Sequence, residues 1–339
     1  MAKKLHYDFI NDKSLVARVG PTLACTRALD TATRRNSSGV REAVLANVAR
    51  FDHTAGGVSL GLLSEEARTN LFLNSDAPVT QGVTTTAKSY VVWMEGAGSV
   101  TLSGTGTGVA TDGSPVVVIC TAGTLTLTVA GGPDLVQVEA GTGPTSYIPT
   151  VGSAVLRNKD NISVIDATWF NAGGDGSSYS RATQTYSNAT TDSFIVAICQ
   201  STSLKVSHYV QDAPLENGRT LTVGFASGLN NAYPAGVEVG HASAYSAGDL
   251  QAYFNGVAGN AASHTLSSTA TVDRIWLGSQ PASGGIGHFN GHIAEVRYYN
   301  TRLTNAELEA MSLGTFPSGG GSGRSGPGLT FGGMGRMGT

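Results

Sequence analysis

Short runs of alternating apolar and polar residues, cut by glycine-rich turns, limit what this chain can fold into. In Thr124-Leu125-Thr126-Leu127-Thr128-Val129 the leucines and the valine fall on one side of an extended strand and the threonines on the other. Further strand-like runs stand at 89–94, 99–103, 115–120, 193–198, 221–225, 249–254 and 274–278. Asn255-Gly256, directly after Phe254, is a two-residue hairpin signal. Helical periodicity is nearly absent, and 45 glycines with only 13% charged residues suit a fold of many turns. With 339 residues the chain is long enough for two domains with cores of their own.

The last folded-looking stretch, residues 289–308, reads as a turn, an alternating strand and a short helix. Ile293, Val296 and Tyr298 are its candidate core residues. Thr304 and Glu307 have the spacing of a capping box, in which each side chain satisfies an amide at the helix start. Leu308 and Met311 give that helix an apolar side.

Composition excludes several classes of function. A formal charge of −3 offers no basic face for nucleic acid. The N-terminus has Lys3 and Lys4 but no apolar run behind them, so it does not read as a signal peptide. No apolar run approaches the length that crosses a bilayer. Cys25, Cys120 and Cys199 are far apart and odd in number, which fits buried free thiols made in a reducing cytosol rather than disulfides or a zinc site.

The expected fold is all-β: two β-sandwich (jelly-roll) domains in series, with an irregular N-terminal segment and a Gly-rich C-terminal tail. Residues 1–75 read as an irregular attachment segment, with a strand-like run at 14–19 and a hairpin turn at Ser38-Gly39. Its apolar residues Leu5, Phe9, Leu15, Val16 and Leu23 need a cover, which a partner chain would supply. Residues 76–150 form a small carbohydrate-binding-like jelly roll that closes on an extended, proline-flanked connector at 144–152. Residues 151–316 form the larger sandwich. Residues 317–339 cannot build a core. In that tail Leu329, Phe331, Met334 and Met337 are candidate anchors for assembly into a larger particle. Its glycine run is no phosphate loop, since it lacks the following Lys-Ser/Thr.

Candidate chemistry is sparse. A glycosidase needs two carboxyl groups flanking the bond, and Glu216, Glu238 and Asp249 are isolated. Catalytic residues are therefore assigned to none. His288 and His292 stand four apart in a turn, where that spacing does not bring metal ligands together. His292 reads as bonded to backbone beside the closing strand, and His241 as a satisfied core histidine. Asp166, Asn171, Gly173-Gly174 and Asp175 could line a calcium loop, but a tight surface loop is the favoured reading, and no metal or other cofactor is assigned. A pyranose face is apolar, so exposed aromatic rings are the candidate sugar contacts. Tyr233, in a loop signal, leads, with Trp169 and Tyr179 beside it, while Trp93 and Trp276 read as core.

The phrases Ala49-Arg50-Phe51-Asp52-His53 and Gly61-Leu62-Leu63-Ser64-Glu65-Glu66-Ala67-Arg68-Thr69-Asn70-Leu71 resemble a module of tailed-bacteriophage structural proteins. There the module stands ahead of a carbohydrate-binding-like jelly roll. The stretch from Gln137 to Thr150 is similar to the close of that jelly roll, and Arg157 and Asp160 match the start of the next unit. Gly291-His292-Ile293-Ala294-Glu295-Val296-Arg297 resembles the end of a concanavalin A-like (laminin-G-like) lectin domain. Leu156 and Asn158 depart from the pattern's usual Thr and Ala. The resemblance covers nearly the whole chain apart from the tail. It implies a non-enzymatic virion protein made in the host cytoplasm, a tail-fibre or tail-tip adhesin that binds host-surface glycan. The alternative it allows is a head or tail decoration protein whose sandwiches are spacers. It also implies contacts with other virion proteins and a homo-oligomer, a trimer, with no nucleic-acid partner and no membrane insertion.

Overall fold

The computed structural model describes residues 3–186, 192–200, 203–211, 217–222, 225–263, 272–280 and 287–316. It is all-β, with one helix, Asn305–Ser312, among the described residues. No helix of the described residues is long and apolar enough to cross a membrane. The tail residues Leu329, Phe331, Met334 and Met337 lie outside the described residues.

The larger sandwich has an eight-stranded and a seven-stranded antiparallel sheet. The first is built around the closing strand Gly291–Tyr299, which pairs with Gly176–Gln184 on one side. On its other side Gly291–Tyr299 pairs with both Lys3–Asp8 and Ser59–Ser64. Arg50–His53 then pairs with Ser59–Ser64 and forms that edge of the sheet. The second sheet begins at Ala24–Thr26, followed by Asn161–Val164, Arg274–Leu277 and Ser193–Gln200.

The first 64 residues are therefore not an irregular attachment segment. They supply strands to both sheets of the sandwich that is completed 290 residues later, opposite the expectation of domains in series. Lys4-Leu5-His6-Tyr7-Asp8-Phe9 alternates, and its apolar members Leu5, Tyr7 and Phe9 are fully buried in the main core. Leu23 is buried with them and Leu15 packs partly against them, so the cover for these residues is the chain's own sandwich. Val16, by contrast, is exposed. The run at 14–19 forms no strand, only a single bridge from Val19 to His6.

The small jelly roll is inserted into this split sandwich. One of its sheets contains Gly108–Ala110, Ser99–Gly104, Gly123–Ala130 and Gln81–Thr85. The other contains Val116–Cys120, Lys88–Gly96 and Pro133–Ala140. Leu125, Leu127, Val92, Met94, Val136 and Val138 fill the space between them. Pairing of Val117 with Val91, and of Gln137 with Trp93, fixes the opposite face of the three-stranded sheet. Trp93 and Glu95 lie on that outer face with Val117 and Ile119.

Local signals read correctly where they were complete. Strands Ala32–Arg35 and Arg41–Val44 form a hairpin around Gly39. Gly39 has φ +75°, and a Cβ there would lie 1.9 Å from the Ala55 carbonyl oxygen, so no other residue fits. Asn255 and Gly256 both have positive φ in the turn after Asp249–Phe254, as a two-residue hairpin requires. Thr304 and Glu307 form both halves of the capping box. All three cysteines are free and buried.

A histidine pair lies between the two large sheets. His208 stacks on His241 with ring centroids 3.7 Å apart. Ser178 and Ser243 bond Nε2 of His208 and Ser180 bonds Nδ1, each at 2.8 Å. Burial pushes His208 down to about 3 and, with His208 alongside, pushes His241 well below the ordinary imidazole range. Both titrate near 6.5 once unfolded, so below that pH the unfolded chain binds more protons and the fold loses stability. Urea unfolding should show stability falling from pH 6.5 downward by up to about 1.4 kcal/mol per pH unit for each histidine. His208→Asn should flatten that slope. A wild-type stability unchanged between pH 7 and pH 5 would contradict the buried neutral pair.

Candidate functional site: a cleft where the two sandwiches meet

Four parts of the chain converge on one cavity of about 370 Å³. The eight-stranded sheet supplies Asp52 and His53 from its edge strand and His292 from the closing strand. The outer face of the jelly roll supplies Trp93 and Glu95, and the connector after it supplies Thr145, Ser146 and Tyr147. The hairpin around Gly39 supplies Arg34, Arg35 and Arg41.

At the mouth, Glu95 binds two guanidinium groups. Arg41 holds it through both carboxylate oxygens, at 2.5 and 3.1 Å, and Arg35 binds it at 2.7 Å. Burial raises the Glu95 pKa, but Arg41 and Arg35 outweigh it and hold the carboxyl below its usual range. The Arg41 guanidinium lies over the Tyr147 ring, 5.1 Å from its centroid. Trp93 meets Tyr147 edge-on at 6.3 Å, and its indole N–H donates to Glu139 at 3.3 Å. Trp93 is half-buried, so part of its ring faces the cavity.

On the sandwich side, Asp52 accepts the backbone N–H of Arg35 at 2.7 Å and bonds Nε2 of His292 at 3.0 Å. Burial works against its ionisation, but the His292 contact and the backbone amides keep the Asp52 carboxyl below its ordinary range. His292 thus pairs with a carboxylate rather than with backbone. Nδ1 of His53 lies 3.0 Å from the Arg35 carbonyl oxygen, tying the hairpin to the sheet edge.

Behind the cleft lies a fully buried ionic cluster. Asp160 binds Arg27 at 2.7 Å and also Arg50. Glu65 binds Arg50 at 2.8 Å and Arg157 at 3.3 Å, and accepts from the Ser146 amide and hydroxyl. Burial alone would raise the Glu65 pKa, but Arg157 and Arg50 bring it to about 2. Glu139 is also fully buried, and there burial wins and raises the pKa despite its donors from Thr145 and Gln137.

The sequence-selected sugar contacts are elsewhere, and none presents a ring to solvent. Tyr233 is 2% exposed, with its hydroxyl donating to the Ala182 carbonyl at 3.0 Å. Trp169 is 5% exposed, packed edge-on against Phe170 and Tyr298. Tyr179 is 1% exposed, beneath the helix Asn305–Ser312. The loop signal at Tyr233 failed because the ring turns inward onto the main core. Trp93, expected in the core from its strand pattern, stands on the opposite face from Tyr90, Val92 and Met94, and the alternation of the strand carries that signal.

In the loop considered for calcium, Asn171 donates to the Asp175 carbonyl at 2.9 Å, and Asp166 accepts from Thr168. Its side chains thus close the loop on itself. Among the described residues one group of three potential metal ligands clusters, namely His6, Asp8 and Glu295. Each is already engaged, His6 with Glu295 at 2.8 Å, Asp8 with Arg18 at 2.9 Å, and Glu295 also with Arg297. The surrounding cations oppose a metal there.

No family model and no curated protein matches the chain. Among solved structures, the CBM40 module of a Ruminococcus gnavus IT-sialidase bound to alpha2,3 sialyllactose is 17% identical, with a TM-score of 0.36. The match covers 42% of this chain and 83% of that one. A mutant of NanB sialidase from Streptococcus pneumoniae is 14% identical with a TM-score of 0.36, over 43% of this chain and 26% of the enzyme. The chain thus spans about a quarter of that sialidase's length. A SAP-like pentraxin from Limulus polyphemus is 8% identical with a TM-score of 0.34, over 73% of this chain and 82% of that one. These are distant likenesses among β-sandwich proteins and assign no role to the cleft.

Proposed function

We propose that this chain is a non-enzymatic glycan-binding protein of a tailed-phage virion, a tail-fibre or tail-tip adhesin, whose sugar site is the cleft between the two sandwiches. The observation that carries the binding reading is the half-buried Trp93 set in a cavity of about 370 Å³ beside the charged groups of Arg35, Arg41 and Glu95. An apolar ring with convergent polar groups suits a pyranose, whose faces are apolar and whose rim is hydroxylated. The resemblance of the 49–71 and 137–160 phrases to phage structural modules supports the virion placement, assembly with other virion proteins and a trimeric state.

The carboxyl groups of the cleft support a non-catalytic role. A glycosidase needs one carboxylic acid with a raised pKa at the bond. Asp52 and Glu95 are held ionised by His292 and by the arginines, and Glu65 is committed to Arg50 and Arg157.

Trp93→Ala should weaken binding of the full chain to host-envelope glycan at least tenfold, while the chain still melts cooperatively as a folded protein. Glycan binding that survives Trp93→Ala would exclude the cleft. The buried cluster, which ties the jelly roll to the larger sandwich, favours a second reading as a rigid decoration or spacer protein. Absence of any glycan binding by the assembled particle would select it.

A further inference from the structure

Charge at the mouth of the cleft is not balanced. Arg34 pairs with Glu42 at 2.8 Å, while Arg35 and Arg41 share the single carboxylate of Glu95. Three guanidinium groups thus face two carboxylates, which leaves one positive charge. The remaining acids do not cancel it. Asp52 bonds His292 and the Arg35 amide, and Glu65 bonds Arg50 and Arg157, so neither carboxylate engages the Arg35 or Arg41 guanidinium.

The two arginines also have donors to spare. Arg41 makes two hydrogen bonds, both to Glu95, and Arg35 makes one to Glu95 and one to the Gly39 carbonyl at 2.8 Å. A guanidinium carries about five N–H groups in a planar fork matched to a carboxylate. Both side chains are partly open to solvent, 25% for Arg35 and 21% for Arg41. Stacking on Tyr147 and anchoring to the hairpin carbonyl fix their directions before a ligand arrives, so little ordering cost remains.

We infer that the cleft selects an acidic glycan, a chain with a carboxylate-bearing sugar seated against Arg35 and Arg41 while a neighbouring ring covers Trp93. The inference rests on the reading of the cleft as a glycan site and adds the ligand class. A neutral sugar would use Trp93 but leave the surplus charge and the spare N–H groups uncompensated. The attraction is electrostatic and partly exposed, so added salt weakens it.

Calorimetric titration of the full chain with trigalacturonate and a hyaluronan tetrasaccharide, each beside its carboxyl-reduced counterpart, tests the inference. At low salt at least one acidic member should bind about tenfold or more tightly than its reduced form, with the gap closing at high salt. Arg41→Gln and Arg35→Gln should each remove the acid preference, weakening the acidic form by about tenfold more than its reduced counterpart. Trp93→Ala should weaken acidic and reduced forms alike. Equal affinity for acidic and reduced forms, or an Arg41→Gln loss equal for both, overturns the acid preference and leaves the glycan site standing. Binding unaffected by Trp93→Ala, or no binding of any of the four, overturns the glycan site and the inference with it.

Discussion

Asp160→Ala should destabilise the chain by about 3–5 kcal/mol, a large part of the stability of an ordinary domain. Asp160 is 1% exposed and accepts from Arg27, Arg50 and the Glu65 amide. Its loss leaves two buried guanidinium groups short of a counter-ion, with only Glu65 still opposing Arg50 and Arg157. Removing one partner costs more than the pair itself contributes, because the remaining charge stays desolvated. The cluster gathers residues from three parts of the chain. Arg27, just after the strand Ala24–Thr26, and Arg50, in Arg50–His53, come from the N-terminal part, Glu65 precedes the jelly roll, and Arg157 and Asp160 follow it. Its failure should therefore loosen the larger sandwich and the seat of the jelly roll while the jelly roll keeps its own apolar core. Urea unfolding should resolve the change as a transition at lower denaturant for the sandwich alone. A midpoint unmoved in Asp160→Ala would show that water or a rearranged Glu139 compensates the arginines, and the cluster would lose its role as the lock between the two units.

Features set by neighbours in sequence could be read before the structure, and those set by distant partners could not. The capping box, the turns at Gly39 and Asn255-Gly256, and the alternating strand at 123–130 are complete within a few residues. Lys4 to Phe9 also alternates, so the strand was visible, but its partner lies 290 residues away and no local pattern names it. The closing strand resembled the end of a lectin-like sandwich, yet nothing in it says that residues before position 64 complete the same sheet. Arg35, Asp52, Trp93, Tyr147 and His292 meet only because the jelly roll is inserted and folds back against the sheet edge. Tyr233, chosen for its loop setting, shows the converse: Asn and Pro around a ring report the backbone turn and not the direction of the side chain.

Leu308→Asp should lower stability by several kcal/mol and the melting temperature by on the order of 10 °C. Leu308 is fully buried and packs with Leu303, Met311, Tyr179, Ala242, Ala244 and Tyr299 on the outside of the eight-stranded sheet. An aspartate there loses the burial of the leucine, worth about 1.5–3 kcal/mol, and adds the desolvation of a charge. The helix is only eight residues long, so it owes its existence to docking rather than to its own propensity. That makes a comparison with its cap informative. Glu307→Ala removes one half of the capping box at an exposed helix start and should cost about 1 kcal/mol. A large loss for Leu308→Asp beside a small one for Glu307→Ala assigns the stabilisation to the apolar seal over Tyr179 and Tyr299. Equal small losses would make the helix peripheral, and the sheet face beneath it would then have to be covered by another part of the chain or by a partner.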